Sequence, residues 1–152
     1  MSWRSALRHA RETGDINELV DAIPYARFMG ISMMVADGDV VGKLAFSPHL
    51  IGNAALPALH GGTIGALLES TAVFKLLWAA QSDLVPKTIN ITIQYLRSGK
   101  AEDMFASAVF VRHGRSIANV RATAWQDDPD RPIAAATMHF LLGPTPCAPS
   151  PA

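Results

Sequence analysis

The sequence has no net charge and almost no cysteine, and both shortages exclude classes of function. Its 152 residues contain 13 Lys and Arg against 13 Asp and Glu, so nothing favours binding to nucleic acid or to an anionic membrane surface. Cys147 is the single cysteine, which excludes an internal disulfide framework and a cysteine-based metal site. The histidines are not arranged at metal-ligand spacing either. We therefore expect no metal site, and we expect the reducing cytoplasm as the compartment.

Long hydrophobic runs are also missing. No run of about 18 apolar residues occurs, so no membrane span is predicted. Arg4, Arg8 and Arg11 interrupt the first apolar residues, which excludes the hydrophobic region of a signal peptide. The length predicts one domain, residues 1–143, with a core of its own. A Pro-rich tail, residues 144–152, is expected to be flexible.

Residues 60–80 are the most informative stretch that is present. Gly61 and Gly62 follow His60, and the residues after them are apolar almost all round, which predicts a buried helix. Glu69 lies in the middle of this helix without a Lys or Arg three or four residues away. A carboxylate in such surroundings is more common at functional sites than elsewhere.

The glycines and the acid are the parts that acyl transfer needs. The first N–H groups of a helix lack intrahelical acceptors and can stabilise a developing oxyanion, and glycine allows a close approach to them. Gly61 and Glu69 are eight residues apart, which is roughly 12 Å along a helix and too far for one reacting group. Antiparallel helices of a twofold dimer would bring Glu69 of one subunit to Gly61 of the other. Catalysis therefore predicts an obligate dimer.

The order of elements predicts an α+β fold. Two short helices are expected in residues 3–12 and 15–23, so that residues 1–24 form a helical N-terminal segment. Residues 24–31 are too irregular for either period and are expected to lead into the first strand. Asp37 and Gly38 then predict a hairpin.

The second half of the chain predicts an antiparallel sheet. After the long helix, expected at residues 62–80, four strands are expected in a meander, at residues 88–96, 104–113, 117–126 and 133–142. In the first of them Ile89, Ile91, Ile93 and Tyr95 would face one way and Thr88 the other. Strands grouped after one apolar helix indicate a sheet that wraps around that helix.

Four features occur together: the His60-Gly61-Gly62 turn, Glu69 nine residues after the histidine, the strand at residues 88–96, and the Gly114-Arg115 hairpin. In this combination, over residues 20–142, the chain resembles the hotdog-fold acyl-CoA thioesterases of the phenylacetate-pathway (PaaI-like) family. The resemblance implies hydrolysis of coenzyme A thioesters by a homodimer, usually paired into a homotetramer. It implies no cofactor, because coenzyme A is part of the substrate.

The resemblance also implies roles for individual residues. Glu69 matches the family's catalytic carboxylate, and Gly61 matches the residue whose backbone N–H polarises the thioester carbonyl from the opposite subunit. Thr88 falls where members carry a Ser or Thr that helps to place the attacking water. Asn53 resembles the Asn or Gln upstream of the turn, although it precedes His60 by seven residues, one more than usual.

Two of these residues keep alternative interpretations. Glu69 is either a structural carboxylate bonded to Thr88 or to a backbone amide, or a catalytic group. As a catalytic group it would be a nucleophile that forms an anhydride, or a general base toward water. His60 is either a base at neutral pH or a structural residue whose ring bonds neighbouring backbone groups.

Six residues near strand ends are candidates for binding the phosphates of coenzyme A, since guanidinium groups offer paired donors to phosphate. They are Arg97, Lys100, Arg112, Gly114, Arg115 and Ser116. The alternative for each is an ordinary surface residue on a turn. Phe74, Leu77 and Trp78 similarly either line an acyl pocket or belong to the core.

Two other functions remain open beside thioester hydrolysis. A non-catalytic acyl-CoA binding or scaffold protein would need neither the acid nor the glycine turn, so their presence argues against it. An acyl-carrier dehydratase of the same fold needs a histidine base, and its typical His-Phe-Pro-Gly turn is absent. Thioester hydrolysis is the leading prediction.

Overall fold

The computed structural model describes residues 3–80 and 83–143. The tail predicted at residues 144–152, with Cys147, lies outside the described residues. The helices are α1 (Trp3–Thr13), α2 (Asn17–Asp21), α3 (Pro24–Met29) and α4 (Gly61–Ala79). The strands are β1 (Ile31–Ala36), β2 (Asp39–Leu44), β3 (Ile51–Asn53), β4 (Ala58–Leu59), β5 (Lys87–Tyr95), β6 (Met104–His113), β7 (Ile117–Trp125) and β8 (Ala134–Leu141). A single 3₁₀ turn, Pro48–Leu50, precedes β3.

Six strands form one antiparallel sheet in the order β1-β2-β6-β7-β8-β5, and β3 pairs with β4 separately. β6, β7 and β8 form a meander as predicted, but the prediction that β5 begins this meander was wrong. β2 and β7 occupy both sides of β6, so β5 crosses the structure and pairs with β8 instead. β5 therefore forms one edge of the sheet.

Helix α4 packs across the inner face of this sheet, as predicted. Leu67, Leu68 and Ala72 are fully buried, and burial of each leucine contributes about 1.5–3 kcal/mol. The helix comes so close to β2 that a Cβ on Gly42 would lie 2.1 Å from the Thr71 hydroxyl. Buried alanines make the rest of the inner face shallow: Ala106, Ala108, Ala118, Ala122, Ala124, Ala134 and Ala136.

Helix α1 holds the far end of α4. The Arg11 guanidinium donates to the carbonyl oxygens of Leu77 at 2.9 Å and Ala80 at 2.6 Å. Carbonyls at a helix C-terminus have no intrahelical donors and carry partial negative charge, so a cation is favourable there. The N-terminal helical segment is thus confirmed, and it fixes α4 from its C-terminal end.

Helix α3 was not predicted. Pro24 occupies the first helical turn, where its missing N–H costs nothing. Gly30 ends the helix with a left-handed φ of 72°. The helix has only six residues, too few for a hydrophobic period to be visible, so the start and stop residues were the only sequence evidence.

The predicted hairpin between β1 and β2 is confirmed. Asp37 and Gly38 both have positive φ, 52° and 76°, as a two-residue turn of type I′ requires. None of the helices in residues 3–80 and 83–143 has the length and apolar character needed to cross a bilayer.

Candidate active site

The turn before α4 is held by the histidine that begins it. His60 is the N-cap of α4, and its Nδ1 accepts the Gly62 N–H at 2.9 Å. The His60 N–H donates to the Leu50 carbonyl at 2.9 Å. Because Nδ1 is the acceptor, the neutral ring carries its proton on Nε2. These contacts are the ones that the structural interpretation of His60 requires.

The Gly61 N–H is the free donor of this turn. No acceptor for it occurs within residues 3–80 and 83–143. The carbonyl of the same peptide group, His60 O, accepts the N–H groups of Thr63 at 2.9 Å and Ile64 at 3.3 Å. Accepting at the carbonyl polarises the peptide group and strengthens its N–H as a donor. The helix dipole adds to this effect at the N-terminus.

Glu69 lies two turns further along α4 and is only half-buried. The Thr88 hydroxyl donates to its Oε1 at 2.6 Å, and no cation pairs with Glu69 among the described residues. One carboxylate oxygen is therefore engaged, and Oε2 has no bonding partner in that part of the chain. The bond is the one expected for a structural Glu69, and it also orients a catalytic carboxylate.

The orientation predicted for Thr88 was wrong. Strict alternation along β5 would place Thr88 on the face opposite Ile93 and Tyr95. The pairing with β8 shifts register between Thr88 and Asn90, and this bulge turns the Thr88 side chain toward α4. A β-bulge inserts one unpaired residue and so reverses the side-chain alternation beyond it.

Strand β5 contacts both ends of the site. Thr88, near its start, bonds Glu69, and Tyr95, its last residue, donates from its hydroxyl to the Gly61 carbonyl at 2.8 Å. Tyr95 was not predicted as a site residue. Its position as the last member of the apolar face was visible in the sequence, but no pattern indicated a contact with the glycine turn.

Asn53 lies on the exposed ribbon that leads to the turn. Its Oδ1 accepts the Ala55 N–H at 3.0 Å. This bond leaves the Asn53 amide nitrogen as the available polar group. Nearby, Gly52 packs against His60, and a Cβ on Gly52 would lie 2.6 Å from the His60 Cα, so the ribbon supports the turn directly.

The six candidate phosphate-binding residues form two groups at opposite ends of the sheet. Arg97 follows β5 near Gly61, and its guanidinium donates to the Pro132 carbonyl at 3.1 and 3.3 Å. Lys100 pairs with Asp127 at 3.5 Å. Both line a cavity of 270 Å³ that also contains Asp128. This first group thus has carboxylates as neighbours.

The second group surrounds a cavity of 520 Å³ at the β6–β7 hairpin. Arg112, Gly114, Arg115 and Ser116 line it, together with Asn119 and His139, which were not predicted. Neither arginine has a partner in the described part of the chain, and no carboxylate lines the cavity. Asn119 and His139 face outward on β7 and β8 and are paired in register. Predicting this pairing requires the strand register, which the sequence alone does not give.

The geometry of the described residues gives no support to metal-dependent chemistry. In residues 3–80 and 83–143, no group of three or more His, Cys, Asp or Glu side chains is placed to hold a metal ion.

Phe74 and Leu77 are buried in the core, and Trp78 is half-buried. The Phe46 N–H and the Lys43 ammonium lower the pKa of Asp103 below its usual value, but Asp103 lies outside the site.

A six-stranded antiparallel sheet packed around one long helix is the architecture of a hotdog-fold protein. Residues 52–141 match the family model described as "Acyl-CoA thioesterase N-terminal domain". This match covers more than half of the 152 residues, and the chain belongs to this acyl-CoA thioesterase family. It is a thioester hydrolase by family.

Individual relatives match most of the chain. The chain is 26% identical over 136 residues to "Medium/long-chain acyl-CoA thioesterase YigI" of Escherichia coli, covering 80% of this chain and 86% of the relative. A crystal structure of a Chromobacterium violaceum protein is 38% identical, with a TM-score of 0.73 and coverage of 90% and 96%.

A third relative shows the fold alone. It is a putative thioesterase from Ralstonia eutropha described as phenylacetic acid degradation-related, and it is 20% identical to this chain. Its TM-score is 0.71, and the match covers 83% of this chain and 98% of the other. The predicted fold class is therefore confirmed, and the match over residues 52–141 confirms the predicted acyl-CoA thioesterase family.

Proposed function

We propose that the protein hydrolyses acyl-CoA thioesters at a site shared between two subunits. Glu69, oriented by Thr88, activates the attack from one subunit, and the backbone N–H of Gly61 of the partner subunit stabilises the oxyanion. The observation that carries this proposal is the free, polarised Gly61 N–H on the same helix as Glu69. The helix rise separates the two groups by roughly 12 Å within a chain.

The free edge of β5 supports the dimer. One side of β5 pairs with β8, and its other side has no strand partner in the described residues. Ile89 and Tyr95 on this strand are 54% and 53% exposed. A long, apolar, unpaired edge is a template for pairing with another chain, and twofold symmetry makes identical edges pair with one another.

Such pairing would complete the site. In an antiparallel β5–β5 pair, the Thr88 end of one strand faces the Tyr95 end of the other. Glu69 lies beside Thr88, and Gly61 lies beside Tyr95. The acid of one subunit therefore approaches the glycine turn of the other, on both sides of the twofold axis. Beside this turn a cavity of 410 Å³, lined by Leu59, Ile64 and Leu96 among others, offers room for the thioester.

The chemistry follows from these groups. With Glu69 as general base, Oε2 takes a proton from water, and the water oxygen attacks the thioester carbonyl. The resulting oxyanion is stabilised by the partner's Gly61 N–H. The C–S bond then breaks, and the coenzyme A thiolate leaves and takes a proton. With Glu69 as nucleophile, Oε2 attacks the thioester carbonyl, the C–S bond breaks and the coenzyme A thiolate leaves, and water then hydrolyses the resulting anhydride to the acid and the Glu69 carboxylate. Hydrolysis in ¹⁸O-labelled water under single-turnover conditions tests for the anhydride route, because ¹⁸O enters the Glu69 side chain only when water attacks the Glu69 carbon of an anhydride.

Coenzyme A is proposed to lie against the cationic residues. The cavity at the β6–β7 hairpin is the better supported position, because Arg112 and Arg115 are unpaired within the described residues and no carboxylate lines it. Gly114 and Ser116 add polar groups there. Antiparallel β5 pairing would bring Arg97 and Lys100 of the partner subunit to the same end of the sheet, so the two groups of candidates could act on one ligand.

The assembly is proposed to be a homodimer that pairs into a homotetramer. Val109 and Val111, both 55% exposed on β6, provide apolar surface away from the β5 edge for a second contact. The compartment is proposed to be the cytoplasm, which suits a chain with one cysteine. Solution scattering at several protein concentrations distinguishes a dimer from a tetramer.

The function is tested by incubating the protein with acyl-CoA substrates from short to long chains and trapping the free thiol. We expect catalytic thiol release, with medium and long chains included because the Escherichia coli relative is named for them. Binding without thiol release, measured by calorimetry on the same panel, would contradict hydrolysis and would favour the acyl-CoA binding protein instead.

The position of coenzyme A needs its own experiment. Replacing Arg112 and Arg115 with Ala should raise KM about tenfold or more for acyl-CoA, and leave KM for the matching acyl-pantetheine unchanged. Arg121→Ala is the matched control, because Arg121 is exposed on β7 but does not line this cavity. An equal effect on both substrates would contradict a role in binding the nucleotide end.

A further inference from the structure

Two consecutive peptide groups form the start of α4, and their polar groups are almost fully engaged. The first group joins His60 to Gly61, and its carbonyl accepts two backbone N–H groups. The second joins Gly61 to Gly62, and its N–H donates to the His60 ring at 2.9 Å. Its carbonyl, Gly61 O, accepts the Tyr95 hydroxyl at 2.8 Å. Only the Gly61 N–H remains without an acceptor in the described residues.

The Tyr95 ring also packs on the Gly61 backbone. A Cβ added at Gly61 would lie 3.1 Å from the ring carbon Cζ and 3.2 Å from the hydroxyl oxygen. Further along the helix, a Cβ on Gly65 would lie 2.8 Å from the Ile93 side chain. The two glycines thus let β5 approach the first turns of α4 closely enough for the tyrosine to reach the carbonyl. At Gly61 the missing side chain leaves space that the tyrosine occupies.

A glycine pair has more conformational freedom than any other dipeptide. An oxyanion donor, in contrast, stabilises the transition state only when it is already oriented, because reorientation during the reaction costs free energy. The turn therefore needs groups outside the glycines that restrict it. The His60 ring restricts one side of the Gly61–Gly62 peptide group, and the Tyr95 hydroxyl restricts its other side.

We infer that Tyr95 is a positioning residue for thioester hydrolysis, which aims the Gly61 N–H at the oxyanion by holding the Gly61 carbonyl and packing against the Gly61 Cα. This inference rests on the proposed function of Gly61. Tyr95 does not exchange a proton with the substrate in this role. It acts through the orientation of the turn, so its loss should lower kcat more than it raises KM.

Tyr95→Phe is the direct test, because it removes the hydroxyl and keeps the ring. One neutral hydrogen bond accounts for a change of about tenfold, so we expect kcat to fall about tenfold, with KM within about twofold. Tyr25→Phe is the matched control: Tyr25, the other tyrosine of the chain, is 57% exposed on α3. Thermal unfolding of both variants shows whether the effect is on stability. An unchanged kcat in Tyr95→Phe would overturn the inference.

A double-mutant cycle with Gly61→Ala shows whether Tyr95 acts through Gly61. The added Cβ pushes against the tyrosine ring, so the hydroxyl should already be displaced in Gly61→Ala. Adding Tyr95→Phe should then change kcat by less than about twofold. A further tenfold loss would mean that the two residues act independently, and would overturn the inference.

Hydrogen exchange of the Gly62 N–H, which donates to His60 Nδ1 within the turn, gives a readout that does not depend on turnover. We expect faster exchange in Tyr95→Phe than in the native protein and in Tyr25→Phe, because the turn opens more often. Unchanged exchange would contradict the positioning role. If the native protein fails to hydrolyse any thioester while exchange still responds to Tyr95→Phe, the proposed function has failed and the contact of Tyr95 with the turn stands.

Discussion

The two ends of strand β5 support the candidate site in different ways. At the start of the strand, one side chain orients another: the Thr88 hydroxyl donates to the Glu69 carboxylate. At its end, side chains orient a backbone group: Tyr95 and His60 hold the peptide group that follows the Gly61 N–H. At the acid end, function would depend on the identity of the side chains of Glu69 and Thr88. At the glycine end, it would depend on the backbone geometry of the turn, which His60 and Tyr95 both hold. Substitutions at the two ends should therefore lower kcat by different mechanisms and to different extents.

Loss of the acid should have the largest effect. Glu69→Gln keeps the shape of the side chain and its bond with Thr88 but cannot accept a proton or attack a carbonyl. We expect kcat to fall by about 10³-fold or more, because a general base or nucleophile is removed entirely. Steady-state kinetics with acyl-CoA, beside a thermal unfolding curve that should match the native one, measures this. Turnover within about tenfold of native would make Glu69 a structural residue.

The glycine end is tested by removing its donor. Gly61→Pro deletes the N–H at the first helical position, where proline is tolerated, and Gly61→Ala keeps the N–H while adding a comparable contact with Tyr95. We expect kcat in the proline variant about 10²- to 10³-fold below native, the size found for one oxyanion donor. The alanine variant should lose much less. Equal losses would show that crowding, not the N–H, matters.

Thr88 tests whether the orientation of the acid matters as much as its presence. Thr88→Val removes the hydroxyl with little change in shape, and Thr88→Ser keeps it. Loss of one hydrogen bond to a charged group should lower kcat about tenfold in Thr88→Val. Thr88→Ser should change kcat less, because it keeps the hydroxyl. If serine and valine behave alike in kinetic assays, the methyl packing of Thr88 is what counts and the hydroxyl is dispensable.

Asp103 lies away from both ends of β5, so substituting it should have a small effect on the stability of the fold and none on catalysis. Its carboxylate accepts the Phe46 N–H at 2.7 Å and pairs with Lys43 at 3.0 Å, which lowers its pKa in the folded state. A lowered folded pKa gives stability that is present above the unfolded value, about 3.9, and is lost as pH falls through the folded value. Asp103→Asn should therefore flatten the acid limb of a stability curve from urea unfolding, without changing kcat at neutral pH. An unaltered acid limb would contradict this assignment.

The sequence was informative where residue type decides the structure. The apolar residues around Glu69 predicted the buried helix, and Asp37-Gly38 predicted a turn that the positive φ values confirm. The resemblance carried by His60, Gly61 and Glu69, together with the strand and hairpin that follow them, implied the family and the acyl-CoA thioesterase assignment, and the family match confirms them.

Features that depend on tertiary contacts were not predictable. The place of β5 beside β8 depends on which strand edges remain open, and the direction of Thr88 depends on a bulge between Thr88 and Asn90. Tyr95 reaches Gly61 only because helix and strand approach closely at two glycines. The roles of Glu69, Gly61, Thr88, His60 and Asn53 in catalysis stay predictions.

The most direct measurement of the shared site mixes two inactive chains. A Glu69→Gln chain and a Gly61→Pro chain, co-expressed in equal amounts and purified without separating the mixed dimers from the parent dimers, each lack one group. In a mixed dimer one site has both defects and the other has neither. Random pairing therefore predicts recovery of about one quarter of the native activity in the mixture. If mass spectrometry confirms mixed dimers and their activity remains at the level of the parents, Glu69 and Gly61 do not act across the subunit boundary.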